Sequence, residues 1–214
     1  MSELQLSSIN ITGPDAFEFL QNQLTADIRQ LESEAEVLSA WCSPKGRVIW
    51  FGTVQSTDAG YALSALSETA SGIVERMKVF RFRSKVEFGI DENTGTVDAG
   101  FLIQNGYPYI GQEQSEKFTP HMLNLDQLGA VSLDKGCFPG QEIVARTHYR
   151  GKTKRRLFRF ESDKPVSPGD KVSDGKRDVG EVVNAVGTDL LAVVPTESAN
   201  SALTCGDATL SPVS

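Results

Sequence analysis

The sequence predicts an α+β protein, and three observations carry that prediction. Ala70, Ile73, Val74 and Met77 recur at helical spacing over 68–78. Phe80, Phe82, Val86 and Phe88 then alternate with Arg81, Arg83, Lys85 and Glu87, so the period changes to that of a half-buried strand. From about residue 153 short strand-like runs follow one another between Pro and Gly turns, the pattern of a small antiparallel barrel or sandwich. Strands not regularly separated by helices argue against a doubly wound parallel sheet.

In chain order, residues 1–12 form a strand on Leu4, Leu6 and Ile9. Thr12-Gly13-Pro14-Asp15 opens a helix over 14–23, because proline suits the first turn and Asp15 suits the positive end of the helix dipole. Cys42-Ser43-Pro44-Lys45-Gly46 turns between strands at 36–42 and 47–55. Ser67 is the candidate N-cap of the helix over 68–78. The late strands are Arg156–Phe160, Lys171–Ser173, Val179–Val186 and Leu190–Val194, separated by Pro165, Pro168-Gly169, Asp174-Gly175 and Gly187. A division near residue 152 follows, with an α+β region over 1–152 and a β-barrel over 153–214.

The 214 residues are 39% hydrophobic and 23% charged, which excludes disordered and fibrous classes. No apolar run approaches the ~20 residues that span a bilayer. The first residues lack the basic start and apolar stretch of a secretory signal, so a cytoplasmic location without membrane attachment is expected. A net charge of −7 argues against broad, direct nucleic-acid binding. The basic residues are nevertheless clustered. Arg76, Lys78, Arg81, Arg83 and Lys85 form one group, readable equally as a solvated face or an anion site. Arg146, Arg150, Lys152, Lys154, Arg155, Arg156 and Arg159 form another with no acidic residue among them, which favours an anion site. Cys42, Cys137, Cys205, His121 and His148 match no zinc spacing, so no metal site is expected.

Chemistry concentrates in Lys135-Gly136-Cys137-Phe138-Pro139-Gly140-Gln141-Glu142. Two glycines and a proline specify an unusual backbone, and Gln141 onward reads as the opening of a helix. A thiol ahead of a helix N-terminus, with Lys135 two residues away, is placed to favour the thiolate; the alternative is an inert cysteine in a tight turn.

This stretch resembles the Lys-Gly-Cys-(Tyr/Phe)-x-Gly-Gln-Glu signature of the YgfZ family of folate-binding proteins, relatives of the glycine-cleavage T-protein. Thr12–Ala16 through Phe19–Ile28, Cys42–Arg47, Arg83–Val86, Asn105–Pro108, Pro120–Asp126 and Ala145–Lys152 agree with the same family in order. The resemblance implies a T-protein-like α+β body with ferredoxin-like elements around a central channel, a C-terminal barrel, and a second domain shortened between about 50 and 100. It implies that Cys137 is the functional thiol and Lys135 its basic neighbour, with Gly136, Phe138, Gly140, Gln141 and Glu142 completing the motif. Gly136 and Gly140 would permit the sharp backbone path. Gln141 and Glu142 either order the loop or are simply solvated first-turn residues.

The resemblance further implies folate, as tetrahydrofolate or a derivative. Asn22, Gln23, Thr25 and Asp27 would lie at the channel rim, with Gln104 and Asn105 as weaker candidates. Arg146, Arg150 or Lys152 would bind the folate glutamates. Trp41, Trp50, Phe51 and Tyr149 either stack on the ring system or pack in the core.

The function implied is iron–sulfur cluster assembly or repair, with an indirect effect on tRNA methylthiolation and with client or assembly proteins as partners. A single cysteine cannot supply the usual four cluster ligands. Aminomethyl transfer is the alternative enzyme reading, yet Gly46–Thr53 holds no Asp or Glu to act beside the folate nitrogen. A non-catalytic folate-binding module is the third reading.

Overall fold

The computed structural model describes residues 2–150 and 153–213, with Arg150 described by its backbone alone. The elements in order are β1 (Glu3–Thr12), α1 (Ala16–Gln23), β2 (Glu36–Cys42), β3 (Val48–Thr57), β4 (Gly60–Leu66), α2 (Ser67–Val79), β5 (Glu87–Asp98), α3 (Ala99–Gln104) and α4 (Gln141–Arg150). The C-terminal strands are β6 (Arg155–Ser162), β7 (Lys171–Ser173), β8 (Asp178–Val186), β9 (Asp189–Pro195), β10 (Leu203–Cys205) and β11 (Ala208–Pro212).

The first five strands make one antiparallel sheet in the order β2-β3-β4-β1-β5. Leaving β2 aside, the succession β1-α1-β3-β4-α2-β5 is a ferredoxin-like split βαβ arrangement, and β2 is an added edge strand. Alternation along the strands separates two faces. Ile9, Ile11, Leu63 and Trp50 pack with Leu20 of α1 and Met77 of α2 in one core. The opposite face carries Ala40, Cys42 and Val48, which pack with Ile103, Ile110, Leu123 and Leu125 and with Val183 and Val193 of the late strands. The remaining strands close into a barrel in the order β10-β11-β6-β9-β8-β7, filled by Phe160, Val172, Leu190 and Leu203. Asn184 joins barrel to body: fully buried, it accepts from the Tyr109 N–H at 3.1 Å and donates to the Tyr109 carbonyl at 2.9 Å.

The structure departs from the sequence expectation after α2. Residues 80–86 are a turn, and the strand begins at Glu87. Phe80 and Val86 do point inward, the first stacking edge-on against Trp41 with ring centroids 5.8 Å apart. Phe82 does not: it is 85% exposed with φ +44°. The alternation there comes from two anchored ends of a turn rather than from a pleat. Asp15 also differs. Its carboxylate makes no cap bond to α1 but accepts from the Lys85 N–H at 2.6 Å, pinning the far end of that turn.

Candidate functional site

Two turns distant in sequence interlock beneath the signature loop. In the β2–β3 turn the Gly46 N–H donates to the Ser43 carbonyl at 2.8 Å, and Gly46 takes φ +66°. Gly140 takes φ +78° and lies on top of it. A Cβ on Gly140 would come within 2.6 Å of the Gly46 N and Cα and of the Ser43 carbonyl. Two glycines therefore meet backbone to backbone, where a side chain cannot fit. Gly136 differs, since a Cβ there meets nothing within 4 Å and its φ is not positive. After Gly140 the chain turns directly into α4, whose first bonds are from the Ile143 and Val144 N–H groups to the Gly140 carbonyl at 3.1 and 3.2 Å.

The loop is also held from below. Lys135 is 5% exposed, and its ammonium donates to the carbonyls of Leu24 and Ala26 at 2.7 and 2.8 Å. Burial pulls its pKa down to about 8, opposed by the Asp27 carboxylate. The buried Phe138 ring lies 5.8 Å from the same ammonium. Between the two accepting carbonyls sits Thr25, fully buried. Its hydroxyl donates to the Ala130 carbonyl at 2.6 Å and accepts from the Ala40 N–H at 2.9 Å. Lys135 and Thr25 thus stitch the end of α1, strand β2 and the signature loop together. The ammonium serves backbone oxygens, while Cys137 stands exposed at the loop's tip. The other two thiols are buried, and burial pushes Cys42 up to about 12 and Cys205 up to about 11. Among the described residues no group of three or more His, Cys, Asp or Glu could hold a metal.

The remaining sequence candidates fall into two sets. Gln23, Thr25 and Asp27 are engaged within the protein. Gln23 accepts from the Trp41 indole N–H at 3.2 Å. Asp27 accepts from Arg29 and from Gln21, and the Arg29 hydrogen bond holds its carboxyl well below the usual range. Asn22, Gln104, Asn105 and Arg146 keep exposed side chains, as do Glu142 and Tyr149 on α4, although the Asn105 amide N–H donates to the Phe101 carbonyl at 2.8 Å. Of the second basic group, Arg156 is paired bidentately with Asp126 at 2.9 Å and Arg159 with Asp189 at 3.2 Å. The expectation of an unneutralised basic run is corrected there: the carboxylates come from elsewhere in the chain, invisible to a local count. Gly151 and Lys152 lie outside the described residues, as does the side chain of Arg150.

A cavity of about 260 Å³ opens on the sheet face opposite α1 and α2. Phe51 of β3 forms one wall, where Trp50, packed in the core on the helix side, also reaches the lining, and Leu102 with the segment Tyr107–Ile110 forms another. The lining contains no carboxylate; its side-chain polar groups are the Trp50 indole N–H, the hydroxyls of Thr53 and Ser64, and the phenols of Tyr107 and Tyr109. Trp50 donates its indole N–H to the Ser64 carbonyl at 2.9 Å, which fixes the ring. Trp50 and Phe51 were legible as candidates, whereas Tyr107 and Tyr109 were missed although Asn105-Gly106-Tyr107-Pro108 marked their segment. Trp41 and Trp50 belong to the same core, and of the two only Trp50 also reaches the cavity lining. From α3 it is Leu102, not Gln104 or Asn105, that reaches the lining.

A ferredoxin-like antiparallel sheet joined to a closed antiparallel barrel makes this an α+β fold. The crystal structure of glycine cleavage system aminomethyltransferase T from Bartonella henselae superposes with TM-score 0.79 over 99% of this chain and 83% of that one, at 12% identity, a likeness of fold alone. Residues 154–214 match the CAF17 C-terminal β-barrel domain family. The chain is 30% identical to an uncharacterized protein of Haemophilus influenzae, with 75% of this chain and 72% of that protein covered. It is 27% identical to the tRNA-modifying protein YgfZ of Escherichia coli O127:H6, covering 86% and 77%. It is 24% identical to the tRNA-modifying protein YgfZ of Hamiltonella defensa, covering 70% and 66%. The chain belongs to the YgfZ family. No helix among the described residues is long and apolar enough to cross a membrane.

Proposed function

We propose that this protein is a folate-binding factor that supports iron–sulfur cluster assembly or repair in the cytoplasm, and through it tRNA modification. One observation carries the reading: the only exposed thiol of the described cysteines, Cys137, tops a loop fixed by a buried ammonium and by a glycine-on-glycine contact. Such anchoring is the preorganisation that a reacting group needs. The relatives named as tRNA-modifying proteins support the downstream effect.

The residues present fit a folate ring system. The cavity is lined by the aromatic side chains of Phe51, Tyr107 and Tyr109, and its volume suits a fused heteroaromatic ring rather than the whole molecule. Bound tetrahydrofolate would supply one-carbon carrier chemistry. In this reading Arg146, or Arg150 or Lys152 later in the sequence, meets the glutamate carboxylates, while Asn22 and Gln104 offer exposed amides and Asn105 its amide oxygen at the rim. Thr25, Gln23 and Asp27 position the loop from beneath. The reading divides the chain at residue 152 and takes the shortfall in length against the relatives as a trimming within about 50–100. The absence of a carboxylate from the cavity lining runs against aminomethyl transfer, because nothing there is placed to act on the folate nitrogen.

The test is complementation of a bacterium lacking its own YgfZ-type protein, read as tRNA methylthiolation at matched expression. Wild type is expected to rescue and Cys137→Ala to fail. Equal rescue by both would remove the thiol from the function. Failure of the wild type would remove the pathway and leave a folate-binding module.

A further inference from the structure

The turn between α2 and β5 presents a combination that folding alone does not account for. Phe82 is 85% exposed, and Val79 at the end of α2 is 69% exposed. Phe82 also holds φ +44°, a conformation that bulky side chains rarely adopt. An outward-facing ring and a left-handed backbone are both unfavourable, and both fall on one residue.

Within the turn itself the charged residues are all basic, with Glu75 and Glu87 on either side. No Asp or Glu occurs between Arg76 and Val86. Arg76 is paired with Glu116 and Lys78 with Glu75, so these two are neutralised. Arg81, Arg83 and Lys85 are exposed and make no ion pair among the described residues. The Asp15 carboxylate accepts from the Lys85 N–H at the far end of the turn. The turn is held at both ends, by Phe80 against Trp41 and by the Asp15 bond, so Phe82 is displayed on a fixed frame.

We propose that this turn docks an acidic segment of a partner protein that carries an apolar side chain. The inference rests on the reading of the protein as a factor acting on client proteins, and it names the chemistry of their contact. Phe82 and Val79 take the apolar group, and Arg81, Arg83 and Lys85 take the carboxylates, the aromatic-plus-arginine composition common at binding hot spots. Charge selects a short acidic segment over a nucleic acid: a long phosphate backbone would run from this patch onto a molecule of net charge −7.

The experiment uses the full chain and three fluorescein-labelled probes read by anisotropy. These are the peptide Glu-Asp-Glu-Leu-Phe-Glu-Asp, its Gln/Asn counterpart and a short oligouridylate. The acidic peptide is expected to bind, the neutral peptide to bind at least about tenfold more weakly, and added salt to erase the difference. Phe82→Asn, in which asparagine tolerates the left-handed backbone, is expected to keep or raise the melting temperature while weakening the acidic peptide about fivefold or more. Arg81→Ser with Arg83→Ser is expected to weaken the salt dependence, leaving only the share of Lys85. Tighter binding of oligouridylate than of the peptide would overturn the proposal, as would equal binding by wild type and Phe82→Asn or no binding of any probe. Complementation by the wild-type chain is scored separately, so a failed dock with intact rescue refutes the surface alone, and failed rescue refutes the function it rests on.

Discussion

Replacing Lys135 with methionine tests how the signature loop is held. The Lys135 ammonium is nearly sealed from water, with the Leu24 and Ala26 carbonyls at 2.7 and 2.8 Å. Burial draws its pKa from 10.5 to about 8, a fall that corresponds to about 3 kcal/mol in favour of the neutral amine. The folded pKa is the lower one. Between about 8 and 10.5 the unfolded chain therefore holds a proton that the folded chain has released, and stability rises with pH across that window. At neutral pH, below both values, the protein carries the cost of the buried charge. Lys135→Met removes that cost of about 3 kcal/mol but strands two buried carbonyls, at about 1–3 kcal/mol each. The expected net loss is about 1 kcal/mol at pH 7, growing to about 3–4 kcal/mol near pH 10, where the wild type holds a neutral amine that still donates to both oxygens. Urea unfolding followed by the fluorescence of Trp41 and Trp50, at both pH values, reads the difference. Other titrating groups are common to the two proteins and cancel. A gap that stays constant or narrows as pH rises would refute the reasoning.

The two motif glycines should respond oppositely. Gly140→Ala forces a Cβ against the Gly46 backbone at 2.6 Å and is expected to cost about 2 kcal/mol or more, whereas Gly136→Ala, into open space, should fall within about 0.5 kcal/mol of wild type; equal thermal shifts would contradict the interlock. His121 is buried with both ring nitrogens unpartnered among the described residues, facing Asp126, Arg156 and His148. Burial holds its pKa below 6.5 against the pull of Asp126, so the unfolded chain binds its proton first and stability declines as pH falls below 6.5. His121→Gln is expected to flatten that decline between about pH 7.5 and about pH 5.5, and unfolding midpoints with unchanged slope would dismiss it.

What sequence could reveal here followed the range of the interactions. The helix over 67–79 and the barrel strands β6 to β9 were legible because periodicity and Pro/Gly punctuation act locally. Strands β10 and β11, short and poorly alternating, were not. Phe80 to Val86 misled because two inward residues separated by a displayed one imitate a pleat. The signature loop was legible as a motif, but not its mechanics. Lys135 looked like an electrostatic neighbour of Cys137, and only the fold shows its ammonium turned to Leu24 and Ala26. Arg156 and Arg159 looked free because Asp126 and Asp189 reach them through space. The Tyr107 and Tyr109 wall of the cavity depends on a docking of loop against sheet that no local pattern encodes.

The contact between Gly46 and Gly140 bears on the time course of folding. The β2–β3 turn can form as soon as its hairpin does, from neighbours in sequence. Its cover cannot, because α2, β5 and α3 all intervene before Gly140 emerges. Completion of the thiol-bearing loop is therefore a late, non-local event, and a ribosome-bound chain truncated before Gly140 would hold a finished hairpin with its glycine seat open to water.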